Sequence, residues 1–142
     1  MKVFADANIL VSVVTKEYPL YPYTSRILSL AGTQGLKIFT SPICLAITFY
    51  FAEKKYRSAE AKERLQLLSR HIRIAGTDQK AVDSAFANPS VKDLEDGLEY
   101  YSALEAGCDS ILTEDKKGFY YSKIEVLTAL EFHDKYMVPK RS

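Results

Sequence analysis

Met1-Lys2-Val3-Phe4-Ala5-Asp6-Ala7-Asn8 begins with a short apolar run that stops at an acid. Val3, Phe4 and Ala5 suit a buried strand, and a strand interior does not tolerate an unpaired carboxylate, so Asp6 reads as the residue that ends the strand. In an open parallel sheet, ligands bind outside the carboxyl edge of the strands, and this spacing puts an acid there. Taken alone, Asp6 and Asn8 read better as caps for a turn or for the next helix. Later acids that follow strands or open helices tip the balance toward a site.

A strand starting at residue 2 leaves no room for a leader, and the apolar triplet is too short for the hydrophobic segment of a signal peptide. The chain of 142 residues is most economically one domain, 1–142, able to bury about two thirds of its unfolded surface. A composition of 47% hydrophobic and 26% charged residues excludes disordered and collagen-like classes. A net charge of +1 lacks the basic balance of a protein that grips nucleic acid over a wide surface, and leaves room for a local patch. Cys44 and Cys108 have apolar or helical neighbours and no metal-ligand spacing, which reads as reduced, buried thiols in a cytoplasmic protein. The run Ile43 to Ala52 falls short of the ~20 residues that span a bilayer, so no membrane association is expected.

Along the chain, Ile9 to Val14 reads as a helical turn leading to a surface loop around Pro19 and Pro22. A helix from Tyr23 stops at Gly32, and Leu36 to Thr40 alternates like a strand. Ser41-Pro42 has the form of an N-cap followed by proline at the first helical position, opening a helix to about Lys55. Ser58 starts an amphipathic helix, His71 to Ala75 forms a third strand, and Thr77 or Asp78 caps a helix through Phe86. A helix from about Asp93 to Ala106 stops at Gly107. Strands at Ser110–Thr113 and Glu125–Leu127 follow, and then a final helix over Ala129–Tyr136. Five strands alternating with helices predict a three-layer α/β/α sandwich around a parallel sheet.

Four acidic positions fall in matching contexts. Asp6 ends the first strand, Asp93 and Asp96 stand in the first turn of a helix after a loop, and Asp115 follows the strand Ile111–Thr113 by two residues. Parallel strands present their carboxyl ends on one edge, so these side chains can converge. Clustered carboxylates repel one another and are stable together when a divalent cation lies between them; hard oxygen ligands with room for water select magnesium or manganese. Asp93, Glu95 and Asp96 also serve simply as acids that offset the positive end of a helix dipole.

The strand ending Phe-Ala-Asp-Ala-Asn and the helix start Asp-Leu-Glu-Asp-Gly-Leu-Glu-Tyr-Tyr-Ser-Ala-Leu resemble PIN domains. So do the run Gly-Cys-Asp-Ser-Ile-Leu-Thr-Glu-Asp-Lys-Lys-Gly-Phe and the closing Ile-Glu-Val-Leu-Thr-Ala-Leu-Glu-Phe. The resemblance spans essentially the whole chain and is closest to a bacterial branch related to the toxins of type II toxin-antitoxin pairs. It implies a Mg2+- or Mn2+-dependent ribonuclease in which Asp6, Asp96 and Asp115 are catalytic and hold the metal, with Asp93 as an accessory ligand. Asn8 and Thr113 match polar positions that support the site through hydrogen bonds. An RNA substrate, a cognate antitoxin and a homodimer, built on the apolar helix Ile43–Phe51 or its neighbour, are the partners implied.

Three positions depart from the family pattern. Ile47 stands where PIN domains usually carry a Glu on the helix after strand two, and Glu53, six residues on, falls about 120° around that helix and faces solvent. Glu114 replaces a basic residue common in relatives, and Gly118 an acid. His71 and His133 lack partners at ligand spacing and read as structural or surface residues. Tyr100, Tyr101, Tyr120 and Tyr121 read as half-buried packing, and Lys54, Lys55 and Arg57 as a solvated helix end; stacking on bases and phosphate contact are their functional counterparts.

A second class of function is a PIN fold with a weakened metal site, working as an RNA-binding or protein-interaction module. Ile47 favours it, whereas Asp6, Asp96 and Asp115 favour the nuclease. A receiver domain is disfavoured, since Ile72 to Gly76 offers no phosphoacceptor Asp at the end of the third strand.

Overall fold

Val3, Phe4 and Ala5 are fully buried in β1 (Lys2–Ala5), the middle strand of the sheet. The structure, a computed structural model, describes residues 1–139. On one side β1 pairs with β2 (Lys37–Thr40), setting Phe4 beside Phe39; on the other it pairs with β4 (Ser110–Leu112), setting Phe4 beside Ile111. β3 (Arg73–Ile74) and β5 (Glu125–Leu127) complete a parallel sheet in the order β3-β2-β1-β4-β5. Strands enclosed on both faces have no polar face to show, which is why β1 and β4 read as continuous apolar runs.

The chain leaves β1 toward β2 and β3, then jumps back across the sheet to β4 and β5. Right-handed crossovers in opposite directions put their helices on opposite faces. Helices α1 (Ala7–Val14), α2 (Tyr21–Ser29), α3 (Pro42–Ala52) and α4 (Ser58–Ser69) form one layer, with α1 packed on α2 and α3, and α3 on α4. The other crossover supplies α5 (Gln79–Ala87) and α6 (Leu94–Glu105), packed on each other. A short α7 (Ala129–Phe132) rests on α2 and continues as a π-helical turn over His133–Met137. The direction of winding reverses between β1 and β4, and the crevice at their carboxyl ends is where such sheets bind ligands.

Several local expectations are corrected. Ile9–Val14 belongs to a true helix, because burial of Ile9, Leu10 and Val14 between sheet and helices outweighs the low helix propensity of a β-branched run. α2 begins at Tyr21 with Pro22 in its first turn, where no N–H is needed, and ends at Ser29. Gly32 (φ +82°) and Gly35 (φ +74°) then form the turn into β2. The third strand shrinks to two exposed residues at the sheet edge. Ser41 and Asp78 cap α3 and α5, their side chains accepting from Cys44 N and Ala81 N. No described helix is long and apolar enough to cross a membrane.

Candidate active site

Asp6 uses its two carboxylate oxygens in different ways. Oδ1 accepts from Ala7 N at 2.6 Å and so caps α1, while Oδ2 accepts from the Thr113 hydroxyl at 2.8 Å. Both the capping and the strand-end expectations therefore hold. Thr113 Oγ1 accepts in turn from Asp115 N at 3.1 Å and from Asn8 Nδ2 at 3.1 Å. Asn8 Oδ1 accepts from Glu114 N at 3.1 Å. Two polar side chains thus stitch the end of β1 to the loop after β4, fixing Asp6 relative to Asp115.

The third arm of the site is the start of α6. Asp93 is its N-cap, accepting from Asp96 N at 3.2 Å, so the helix-start role expected of Asp93 is present. One turn in, Asp96 leans on the short 3₁₀ turn Lys116–Phe119 that follows Asp115. A Cβ on Gly118 would come within 2.3 Å of Asp96 Oδ2 and 3.4 Å of Asp115 Oδ2. Glycine at that position is therefore the space in which the Asp96 carboxylate rests. Asp6, Asn8, Asp93, Glu95, Asp96 and Asp115 line one cleft of about 410 Å3, with Ile47 and Phe51 on its α3 side and no Lys, Arg or His in its wall.

Electrostatics follow from this crowding. Burial, with Asp93, Asp6 and Asp115 nearby, pushes the Asp96 carboxyl up to about 7. Glu95 is raised for the same reasons, chiefly burial and Asp93. Each shift reports negative charge held close together without a compensating cation.

Sequence reasoning missed Glu99. Its side chain is fully buried behind Asp6, where burial and Asp6 push its carboxyl up to about 10. Oε1 accepts from Cys44 Sγ at 2.6 Å, and Oε2 has no hydrogen-bond partner. The buried face of α6 is Gly97, Glu99, Tyr100, Ser102 and Ala103, with Leu98 and Tyr101 half-buried. The signal was available in the spacing, since Glu99 lies three residues after Asp96 and so on the same side of the helix. Cys44 and Cys108 are free, buried thiols as expected, and in space one donor atom from each of Asp6, Cys44 and Glu99 lies within 4.8 Å of the other two. Oxygen donors, the absence of cations in the wall and an orphaned buried carboxylate oxygen together fit a divalent metal ion.

A model of the PIN domain matches residues 2–117, most of the chain. The chain belongs to the PIN domain family. Ribonuclease VapC1 from Aquifex aeolicus (strain VF5) is 29% identical over 138 residues, spanning 95% of either chain. Among solved structures, VapBC2 from Rickettsia felis, bound to a DNA fragment from its promoter, superposes with a TM-score of 0.70 at 18% identity, covering 90% of this chain and 98% of that one. VapBC-1 from nontypeable Haemophilus influenzae gives 0.67 at 15% identity, with 92% and 99% covered. Mycobacterium tuberculosis VapC20, a Sarcin-Ricin loop cleaving toxin, gives 0.61 at 13%, with 77% and 86% covered. At these identities the structural likeness establishes the PIN fold.

The departures from the PIN pattern have local explanations. Glu114 turns away from the cleft, and its Oε2 accepts from Ala129 N at 2.8 Å, tying the loop to the start of α7. Glu53 is exposed and accepts from Ser58 Oγ. The four tyrosines interlock edge to face, Tyr100 with Tyr101 and Tyr121, and Tyr121 with Tyr120. Lys54 lies over the Tyr50 and Phe51 rings, and Lys55 donates to Thr15 O. His71 is exposed, and His133 packs edge-on against Tyr23.

Proposed function

We propose that this PIN domain, acting as a single unit, is a divalent-metal-dependent ribonuclease that cleaves RNA phosphodiesters as the toxin of a toxin-antitoxin pair. The observation that carries the proposal is the convergence of acids from β1, α6 and the loop after β4 on one cleft that has no cationic side chain in its wall. The names of the relatives, a ribonuclease and toxin-antitoxin complexes, point the same way.

Asp6, Asp96 and Asp115 would hold Mg2+ or Mn2+, with Asp93 in an accessory place. When bound, the ion supplies Lewis acidity against charge developing on phosphate oxygens and makes water a stronger acid. The chain's own residues do the positioning. Thr113 donates to Asp6 Oδ2 and so fixes that carboxylate, while Ala7 N holds the other oxygen. Asn8 keeps the Thr113 hydroxyl and the Glu114 backbone in register. Ile47 and Phe51 give the cleft one apolar wall, which limits water around the acids opposite.

The test is cleavage of a fluorescent single-stranded RNA panel with added Mg2+ or Mn2+, run beside Asp6→Asn. A metal-dependent rate that disappears in Asp6→Asn is expected. Equal rates for the two proteins would falsify the nuclease assignment. The binding-module alternative, favoured by Ile47, predicts RNA or protein binding that is unchanged by chelation.

A cytoplasmic setting, an antitoxin partner and a homodimer accompany this assignment. Tyr50 and Phe51 are 59% and 42% exposed on α3, more apolar surface than a helix packed by Cys44, Thr48 and Ala52 requires.

A further inference from the structure

Glu99 is a carboxylate with no accessible surface, flanked by a thiol and by a second carboxylate. Cys44 Sγ approaches Oε1 to 2.6 Å, while Oε2, also buried, has no donor at all. The hydrogen bonds of Asp6 come from Ala7 N, Asn8 and Thr113, so no Lys, Arg or His among the described residues donates to any of the three. A buried carboxylate with a thiol donor on one oxygen, none on the other and no cation beside it is costly in its charged form. A buried polar atom left unsatisfied in this way calls for a further partner, and an ion supplies one.

The geometry suits a metal ion. With bonds of about 2.0–2.3 Å, donors on opposite sides of an ion stand about 4.5 Å apart, and the three donor atoms here lie within 4.8 Å of one another. Sulfur in the set disfavours Mg2+, which takes oxygen ligands and keeps several waters, and favours ions that accept thiolate. The position lies behind Asp6, away from the cleft mouth that Asp93 and Asp115 line. Cys44 sits one turn before Ile47 on α3, so the acid that α3 lacks at Ile47 is met from across the sheet edge by Glu99 on α6.

We propose that Asp6, Glu99 and Cys44 form an inner cation position that takes a borderline divalent ion, Co2+ or Zn2+, in preference to Mg2+, with Glu99 replacing the missing acid of α3. This deepens the metal-dependent reading above and rests on it for the role of Asp6. Coordination through Cys44 sends its thiol proton to solvent.

Co2+ titration of the metal-free full chain reads the position directly, since a thiolate ligand adds a sulfur-to-cobalt charge-transfer absorption that carboxylates do not give. The wild-type protein should show this band at one equivalent. Cys108→Ser should keep it, because Cys108 precedes β4 at the opposite edge of the sheet. Cys44→Ser should lose the band, and Glu99→Gln should weaken Co2+ binding by roughly tenfold or more, on the scale at which even supporting partners act. Mg2+ at equal concentration should not displace the ion. Absence of the band from folded wild-type protein at saturating Co2+ overturns the inner site whatever the variants do, and so does its retention in Cys44→Ser. These readouts are independent of RNA cleavage. A missing band beside Asp6-dependent cleavage removes only the inner site, whereas a band beside equal cleavage by wild type and Asp6→Asn removes only the nuclease.

Discussion

Gly118 shows how one missing side chain shapes the site. Its Cα–H faces Asp96 Oδ2 so closely that any Cβ would displace that carboxylate. Gly118→Ala should therefore lower Mn2+ affinity by on the order of tenfold while leaving the fold intact, as Mn2+ titration and thermal melting would register together. An unchanged affinity would mean that Asp96 simply rotates to another productive position. The raised carboxyl of Asp96 gives a second test. An acid whose folded value is raised binds its proton more tightly in the folded state than in the unfolded one, so the metal-free protein loses stability as pH rises from the ordinary carboxylate range, near 4, toward about 7. Above that, Asp96 contributes no further loss, although Glu99, raised to about 10, continues the same trend. Melting temperature in chelator should fall between pH 5 and 8, and Mn2+ should restore it mainly at the upper end, where the ligands are deprotonated. A melting temperature that rises across this interval would contradict the crowding of these acids.

At the scale of elements, α3 and α6 show what could and could not be read in advance. The Ser41-Pro42 start of α3 was legible because capping chemistry is local, and Ser41→Ala should cost about 1 kcal/mol in a denaturation midpoint. The parallel five-strand sheet and the gathering of Asp6, Asp96 and Asp115 on one edge were legible because apolar runs followed by acids encode such a sheet and its carboxyl edge. Glu99 was not, because it stands inside a helix whose neighbours Tyr100 and Ala103 are core residues, and only its packing against Cys44, 55 positions away, reveals what it faces. α1 was missed for a related reason: its β-branched run has weak helix propensity, and burial against the sheet and α3 decides its conformation. Ile47 and Glu99 can be tested as a pair. If Glu99 occupies the role that α3 leaves open, Ile47→Glu should strengthen Co2+ binding more in a Glu99→Gln background than in wild type, where a third acid would only add repulsion. Additive effects in that double-mutant cycle would show that the two positions serve different ions.

For the whole molecule, the α3 face connects association to access. Phe51 belongs both to the exposed apolar face with Tyr50 and to the wall of the acidic cleft. Whatever covers that face must therefore border the cleft mouth, so a bound partner and an RNA strand compete for neighbouring space. Lys54, over both rings, leaves the patch apolar at its centre and charged at its rim, the usual anatomy of a protein interface. Sedimentation at micromolar concentration should show a dimer that Tyr50→Ser/Phe51→Ser disrupts, with stability shifted by no more than about 0.5 kcal/mol because both side chains are exposed. If the chain self-associates through this face, the double variant should still bind Mn2+, since Tyr50 lies outside the cleft lining and Phe51 contributes only its apolar wall. A wild-type monomer under these conditions would leave the face to a different partner, and the same double variant would then lose affinity for a co-expressed antitoxin while keeping its fold. Retention of both the dimer and the antitoxin by the double variant would remove α3 as the contact surface and uncouple association from the cleft.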